Sequence, residues 1–162
     1  MKMKSQHAST LAAGIGAVAG LRPMMALASM AWALRRGWIR PGRSPLARIV
    51  SASASKRIAE FAVSELIVDK LPFTPSRLNA APLMSRILSG AICGAVIHDT
   101  VERPLAEGAV LGGLGALAGT ITAYHIRQNL NHDMPDFAVA LLEDALALGG
   151  SAVIVSVVAA AE

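Results

Sequence analysis

The strongest constraint on this chain is where formal charge is missing. Ser5 to Leu21 carries none, and after a lone Arg22 the neutral run resumes from Pro23 to Leu34. Gly108 to Tyr124 and Ala145 to Ala161 are also charge-free, each 17 residues long. A bilayer-spanning helix needs about 20 mostly apolar residues, with a range of about 17–25. A soluble bundle would need a polar face on every helix. The helices through residues 9–34 and 105–127 offer none. Every backbone polar group must also be satisfied internally in lipid, which favours helices. These runs therefore predict an all-α, polytopic membrane helix bundle. The composition agrees, with 54% hydrophobic and 16% charged residues, against roughly 45–50% and 25% in soluble domains. So much apolar surface excludes disorder. The single Cys93 excludes a disulfide scaffold. Aromatic residues at 4% leave little for bases to stack on, so no nucleic-acid partner is expected.

The prolines divide the chain into about five helices, near 9–34, 46–71, 82–98, 105–127 and 136–161. Pro45, Pro72, Pro75, Pro82, Pro104 and Pro135 fall at or near boundaries, where helices tolerate proline, and Asp133 could cap the last helix. Pro23 alone lies inside a proposed helix. Residues 58–71 are less apolar, holding Glu60, Glu65, Asp69 and Lys70, whereas 82–98 holds only Arg86. Lys2 and Lys4 before an apolar stretch, and Ala26-Leu27-Ala28, resemble a signal peptide. Arg22-Pro23 interrupts the segment a signal keeps neutral, so cleavage is not expected. The chain reads as a single membrane domain over residues 1–162.

Residues 14–20 read GIGAVAG and residues 113–119 read GLGALAG, identical at five of seven positions. Glu60 to Val63 and Asp136 to Val139 match in the same order. The pattern suggests two halves, about 9–71 and 105–161, joined by the helix near 82–98. If every helix spans, the halves have inverted topology, an arrangement transporters use around a midplane site. A duplication kept only for packing is the competing reading. The glycines have a packing explanation of their own. Gly16/Gly20, Gly90/Gly94, Gly108/Gly112 and Gly115/Gly119 are spaced for close backbone approach between membrane helices. The same faces could serve a homo-oligomer. GIGAVAG follows no strand and lacks a Lys-Ser/Thr, so it is not a phosphate loop.

Ionisable residues inside apolar sequence persist only if paired, snorkelled or functional, since each costs about 2.5–3.5 kcal/mol at a helix centre. Arg22 is the clearest. The adjacent Pro23 removes a backbone donor and frees a carbonyl, so the pair marks a helix break fit for an anion or a carboxylate. The competing reading is pairing with a buried acid purely for assembly. Glu65 and Asp69 share a helix face and repel unless a cation, a proton, Arg22 or Arg86 intervenes. Asp69 with Lys70 could instead lie at the membrane surface. Glu143 and Asp144 are adjacent, about 100° apart on a helix, so they face different partners. Four acids against Arg22 and Arg86 would suit protons or cations. His98-Asp99 and Glu102-Arg103 read as a short solvated polar loop. His7, His125 and His132 lack metal-site spacing, and Cys93 reads as a small packing residue. No enzyme motif, metal site or cofactor is expected.

The strings GAVAGLRP at 16–23, ELIVDKLPFTPSR at 65–77, GLGALAG at 113–119 and LLEDALAL at 141–148 resemble a family of small bacterial membrane proteins, domain of unknown function 4126. The resemblance runs from about residue 10 to 160. Its most specific part is Glu65…Asp69-Lys70-Leu71-Pro72…Pro75-Ser76-Arg77. The Arg-rich stretch from Arg35 to Arg48 has no counterpart in that pattern. The resemblance implies an integral membrane protein of unknown activity and adds no substrate. The combined expectation is a multi-pass protein of the cell inner membrane. Arg22, Glu65, Asp69, Glu143 and Asp144 would line a path for an ion or small solute. The alternative is a membrane scaffold whose buried charges fix helix pairing.

Overall fold

Pro23 divides the first apolar stretch in two. The computed structural model describes residues 5–40, 52–68, 80–130 and 134–161. Among these, six helices replace the five expected: α1 (Ser5–Leu21), α2 (Pro23–Arg35), α3 (Ala52–Val68), α4 (Ala80–Thr100), α5 (Leu105–Leu130) and α6 (Asp136–Ala160). The extra helix comes from the break at Arg22, whose backbone is extended at φ −141° and ψ 94°. A residue before proline is pushed out of the helical region by its neighbour's ring. The helix expected over 9–34 therefore cannot be continuous. The expected cap Asp133 lies outside the described residues, and Pro135 precedes α6 without a side-chain cap. α4, α5 and α6 are long and apolar enough to cross a membrane, and α1 is a shorter apolar helix.

α1, α4 and α5 pack together through glycine. A Cβ added to Gly16 would strike the carbonyl of Gly112, and one on Gly20 the carbonyl of Ala116. Reciprocally, Gly115 meets the carbonyl of Ala13 and Gly119 that of Ala17. The numbers rise together along both helices, so α1 and α5 run parallel. On the other side, Gly90 opposes Gly112 and Gly94 opposes Gly108, so α4 runs antiparallel to α5. Without a hydrophobic force between helices in lipid, this backbone-to-backbone approach supplies the dispersion contact that holds them.

The two repeat copies are thus in direct contact, and their contacts interchange. Aligning Gly14 with Gly113 places Gly16 on Gly115 and Ala13 on Gly112. Exchanging the copies then turns the Gly16–Gly112 contact into Gly115–Ala13, and Gly20–Ala116 into Gly119–Ala17. The relation between these two segments is a parallel local two-fold, which corrects the inverted topology expected from counting crossings. The inverted relation requires α1 through α2 to be one span, and the break at Arg22 divides it. α4 begins on the side where α1 ends, as Arg86 reaching the last carbonyls of α1 shows. The chain between them leaves from and returns to the same side. The second sequence match does not occupy equivalent places. Glu60 lies midway along α3, whereas Asp136 opens α6.

α6 completes the bundle against α1. Val139, Ala140, Glu143, Ala147, Ser151, Val155 and Val158 are buried, a stripe at helical spacing. Gly150 meets Val18 and Gly14 meets Ile154, so α6 is antiparallel to α1. Large apolar side chains point outward instead, among them Phe61, Val110, Leu114, Phe137, Leu146 and Val153. Arg22, Ser89, Thr120 and Ser151 are buried while these large apolar side chains cover the outside, an arrangement that suits lipid as solvent. One expectation fails at the α4–α5 turn. His98 is fully buried and Asp99 nearly so, not solvated. The last turn of α4 lies against the start of α5, where a Cβ on Gly108 would meet the imidazole.

Candidate functional site

The break at Arg22-Pro23 sets the geometry of the candidate site. In a continuous helix each carbonyl accepts from the amide four residues on. Arg22 still donates to Val18, at 2.9 Å, but Pro23 has no N–H, and the extended Arg22 carries the following amides away. The carbonyls of Gly20 and Leu21 are left at the end of α1. Both are recovered by one side chain. Arg86 of α4 donates through Nη1 to Gly20 O, and to Leu21 O at 3.0 Å. Thr120 of α5 also donates to Gly20 O at 3.2 Å, and Ser89 of α4 donates to Pro23 O at 2.6 Å. Three buried side chains from two helices thus hold the break open, as backbone polar groups in an apolar interior require.

Arg22 is fully buried and turns to α6. Its Nη2 lies 2.6 Å from Asp144 Oδ1, an ion pair in close contact but off hydrogen-bond alignment. Glu143 points elsewhere. Its Oε2 lies 3.2 Å from Arg127 Nη1, near the C-terminal end of α5. Arg127 also holds Asp136 at 2.6 Å, closing the start of α6 onto the end of α5. The adjacent acids therefore face different partners, as their angular separation requires.

The structure brings Arg22, Pro23 and Asp144 together and assigns Glu143 to a second pair nearer the helix ends. Asp69 lies outside the described residues, as does the side chain of Glu65. Arg22 pairs with Asp144, Arg127 pairs with Glu143 and Asp136, and Arg86 serves the carbonyls of Gly20 and Leu21. The expected excess of acid also counts Glu65 and Asp69, whose side chains fall outside what is described. Gly16, Gly20, Gly90, Gly94, Gly115 and Gly119 form the helix seam beside the site. Gly20 belongs to both, since its missing side chain admits α5 and its carbonyl receives Arg86 and Thr120.

Ser89, Thr120 and Arg127 join the site without having been expected from the sequence. Ser89 lies three residues beyond Arg86, on the same helix face, and that spacing was the available signal. Thr120 directly follows the second glycine repeat, where the first copy carries Leu21. His98, expected in a solvated loop, is buried instead. Neither ring nitrogen has a hydrogen-bond partner among the described residues. Among these residues no group of His, Cys, Asp or Glu is placed to hold a metal ion.

No curated protein and no solved structure matches the chain significantly. A family model does match, over residues 10–161 and hence nearly the full length. The chain belongs to the family described as domain of unknown function (DUF4126).

Proposed function

We propose that the protein passes an anionic solute, linked to a proton, through the break between α1 and α2. The observation that carries this reading is the Arg22–Asp144 pair, buried at a discontinuous helix. Positive features gather there: Arg22, Arg86 and the N-terminal end of α2, where the helix dipole favours anions. Asp144 is the acid that answers Arg22. A proton taken up by Asp144 would release the guanidinium to receive a carboxylate or similar anion, and its loss would restore the pair. Transporters place binding sites at discontinuous helices in this way. The setting would be the cytoplasmic membrane of a bacterium, with the chain multi-pass and non-enzymatic and no cofactor involved. Oligomers could form through the exposed apolar faces.

A second reading is a scaffold whose charges only fix helix pairing. What favours it is that Arg86, Ser89 and Thr120 already occupy the carbonyls of the break. Proteoliposome flux separates the two. Transport predicts that an imposed proton gradient drives uptake of a small organic anion, and that D144N and R22Q stop it while leaving folded protein. Absence of flux across a panel of anions, with the R22D/D144R swap restoring a fold that each single change loses, would establish the scaffold.

A further inference from the structure

We infer that the C-terminal end of α2 is an interfacial platform for the headgroups of anionic phospholipids. The chain has two tryptophans, and both are here. Trp32 and Trp38 meet edge to face with centroids 4.5 Å apart, and Arg36 lies over the Trp32 ring at 5.5 Å. Both indoles are about half exposed, at 46% each.

The platform is built by the helix terminus. Gly37 has φ 70°, the left-handed conformation that ends a helix at least cost in glycine. Its amide donates to Leu34 O at 3.1 Å, and that of Trp38 to Ala33 O at 3.0 Å, the paired bonds of a Schellman turn. Such a turn brings the residue after the glycine back onto the last helical turn, which here sets Trp38 edge to face against Trp32. Ile39 is buried at 1% exposure and pins the far side. The sequence Trp-Ala-Leu-Arg-Arg-Gly-Trp thus encodes a fixed aromatic surface rather than a loose loop.

Charge identifies what covers it. Arg35 and Arg36 are exposed beside the indoles. None of the chain's eleven acidic residues occurs before Glu60, so no acid from this segment opposes them. Indole rings settle at the headgroup level of a bilayer, with the apolar body inward and the N–H toward water. Adjacent arginines are attracted by anionic lipid, and the guanidinium fork can hold a phosphodiester through two bonds. Aromatic and cationic groups fixed side by side match a lipid headgroup at the interface. This assignment does not depend on what, if anything, crosses the bundle.

The indoles make the test direct, because intrinsic tryptophan fluorescence reports this platform alone. The full chain is reconstituted in vesicles containing lipids brominated high on the acyl chain. In one series the brominated lipid is phosphatidylglycerol, and in the other phosphatidylcholine, at equal mole fraction. The expected result is stronger quenching by the anionic lipid. The relative association constant should fall about fivefold for each arginine removed in R35Q and R35Q/R36Q, and the preference should remain in R35K/R36K. Inorganic phosphate added to neutral vesicles should leave the emission unchanged. Equal quenching by the two lipids would overturn the proposal. So would a preference unchanged in R35Q/R36Q, or emission that responds to phosphate alone, which would indicate a free-anion site.

Discussion

The two copies of the glycine repeat share a seam but diverge immediately after it. In α1 the copy is followed by Leu21-Arg22-Pro23 and the helix breaks. In α5 it is followed by Thr120-Ile121-Thr122 and the helix continues to Leu130. The position that holds a fully buried Arg22 in the first copy holds an Ile121 exposed at 43% in the second. Seven similar residues thus dock the copies symmetrically, and the next three decide which copy carries chemistry. The second copy even serves the first, since Thr120 donates to the Gly20 carbonyl. The seam is a scaffold and the break is a site placed on one half of it, an asymmetry that an exact repeat could not have.

The seam should be the less forgiving of the two. Gly112 faces both Gly16 and Gly90, backbone against backbone. Overpacking with flexible neighbours costs about 1–3 kcal/mol, but here no side chain can yield. Gly112→Leu should therefore abolish the folded state. Cys93 gives a readout, as it is the single cysteine and is completely buried. In detergent the wild-type thiol should resist maleimide, while that of G112L should label at the rate of the denatured chain. Slow labelling of G112L would mean that α1, α4 and α5 can separate without loss of the fold, and the seam would lose its assigned role.

The break comes next in size. Asp144→Asn leaves a buried guanidinium without its acid, for which a loss of about 3–5 kcal/mol is expected. The corresponding change in the second pair, Glu143→Gln, should cost less. Arg127 keeps Asp136, and its side chain is 18% exposed. Thermal melts of D144N and E143Q side by side test the ranking. Equal losses would show that burial of Arg22 confers no special dependence on its partner. Arg86→Gln should fall between the seam and the weaker pair. It removes the charged donor to two carbonyls, and charge-assisted bonds are worth about 1.5–3 kcal/mol each. Amide exchange should then quicken around Gly20 to Met25 before it does in α5.

Much of this asymmetry was legible in the sequence, and the missing part has a physical explanation. Charge-free runs, proline positions and glycine spacing are local signals, and they located the helices, the break and the seam. Direction is not local. Whether α1 and α5 run parallel depends on the course of the chain between α1 and α4, and no periodicity within a helix reports it. Partner choice is likewise a property of packing. The 100° between Glu143 and Asp144 required two partners, but only the placement of the end of α5 near the start of α6 gives one of them to Arg127. His98 misled for a related reason. A polar quartet at a helix end ordinarily faces water, yet Gly108 brings α5 so close that the imidazole is covered.

The smallest effect expected is the most informative about how the asymmetry arose. Pro23→Thr gives the first copy the residue that the second carries at the matching position, Thr122. If proline alone caused the break, the variant would regain the Ala19 carbonyl bond and α1 would run on into α2. But the break is also held from outside, by Arg86, Ser89 and Thr120, and by the pull of Asp144 on Arg22. Straightening the helix would sacrifice those contacts to recover ordinary backbone bonds. P23T should therefore keep the break, shift stability by no more than about 1 kcal/mol, and leave amide exchange at Met25 as fast as in the wild type. Slowed exchange at that amide would show instead that the proline imposes the break and that the surrounding side chains only adapted to it.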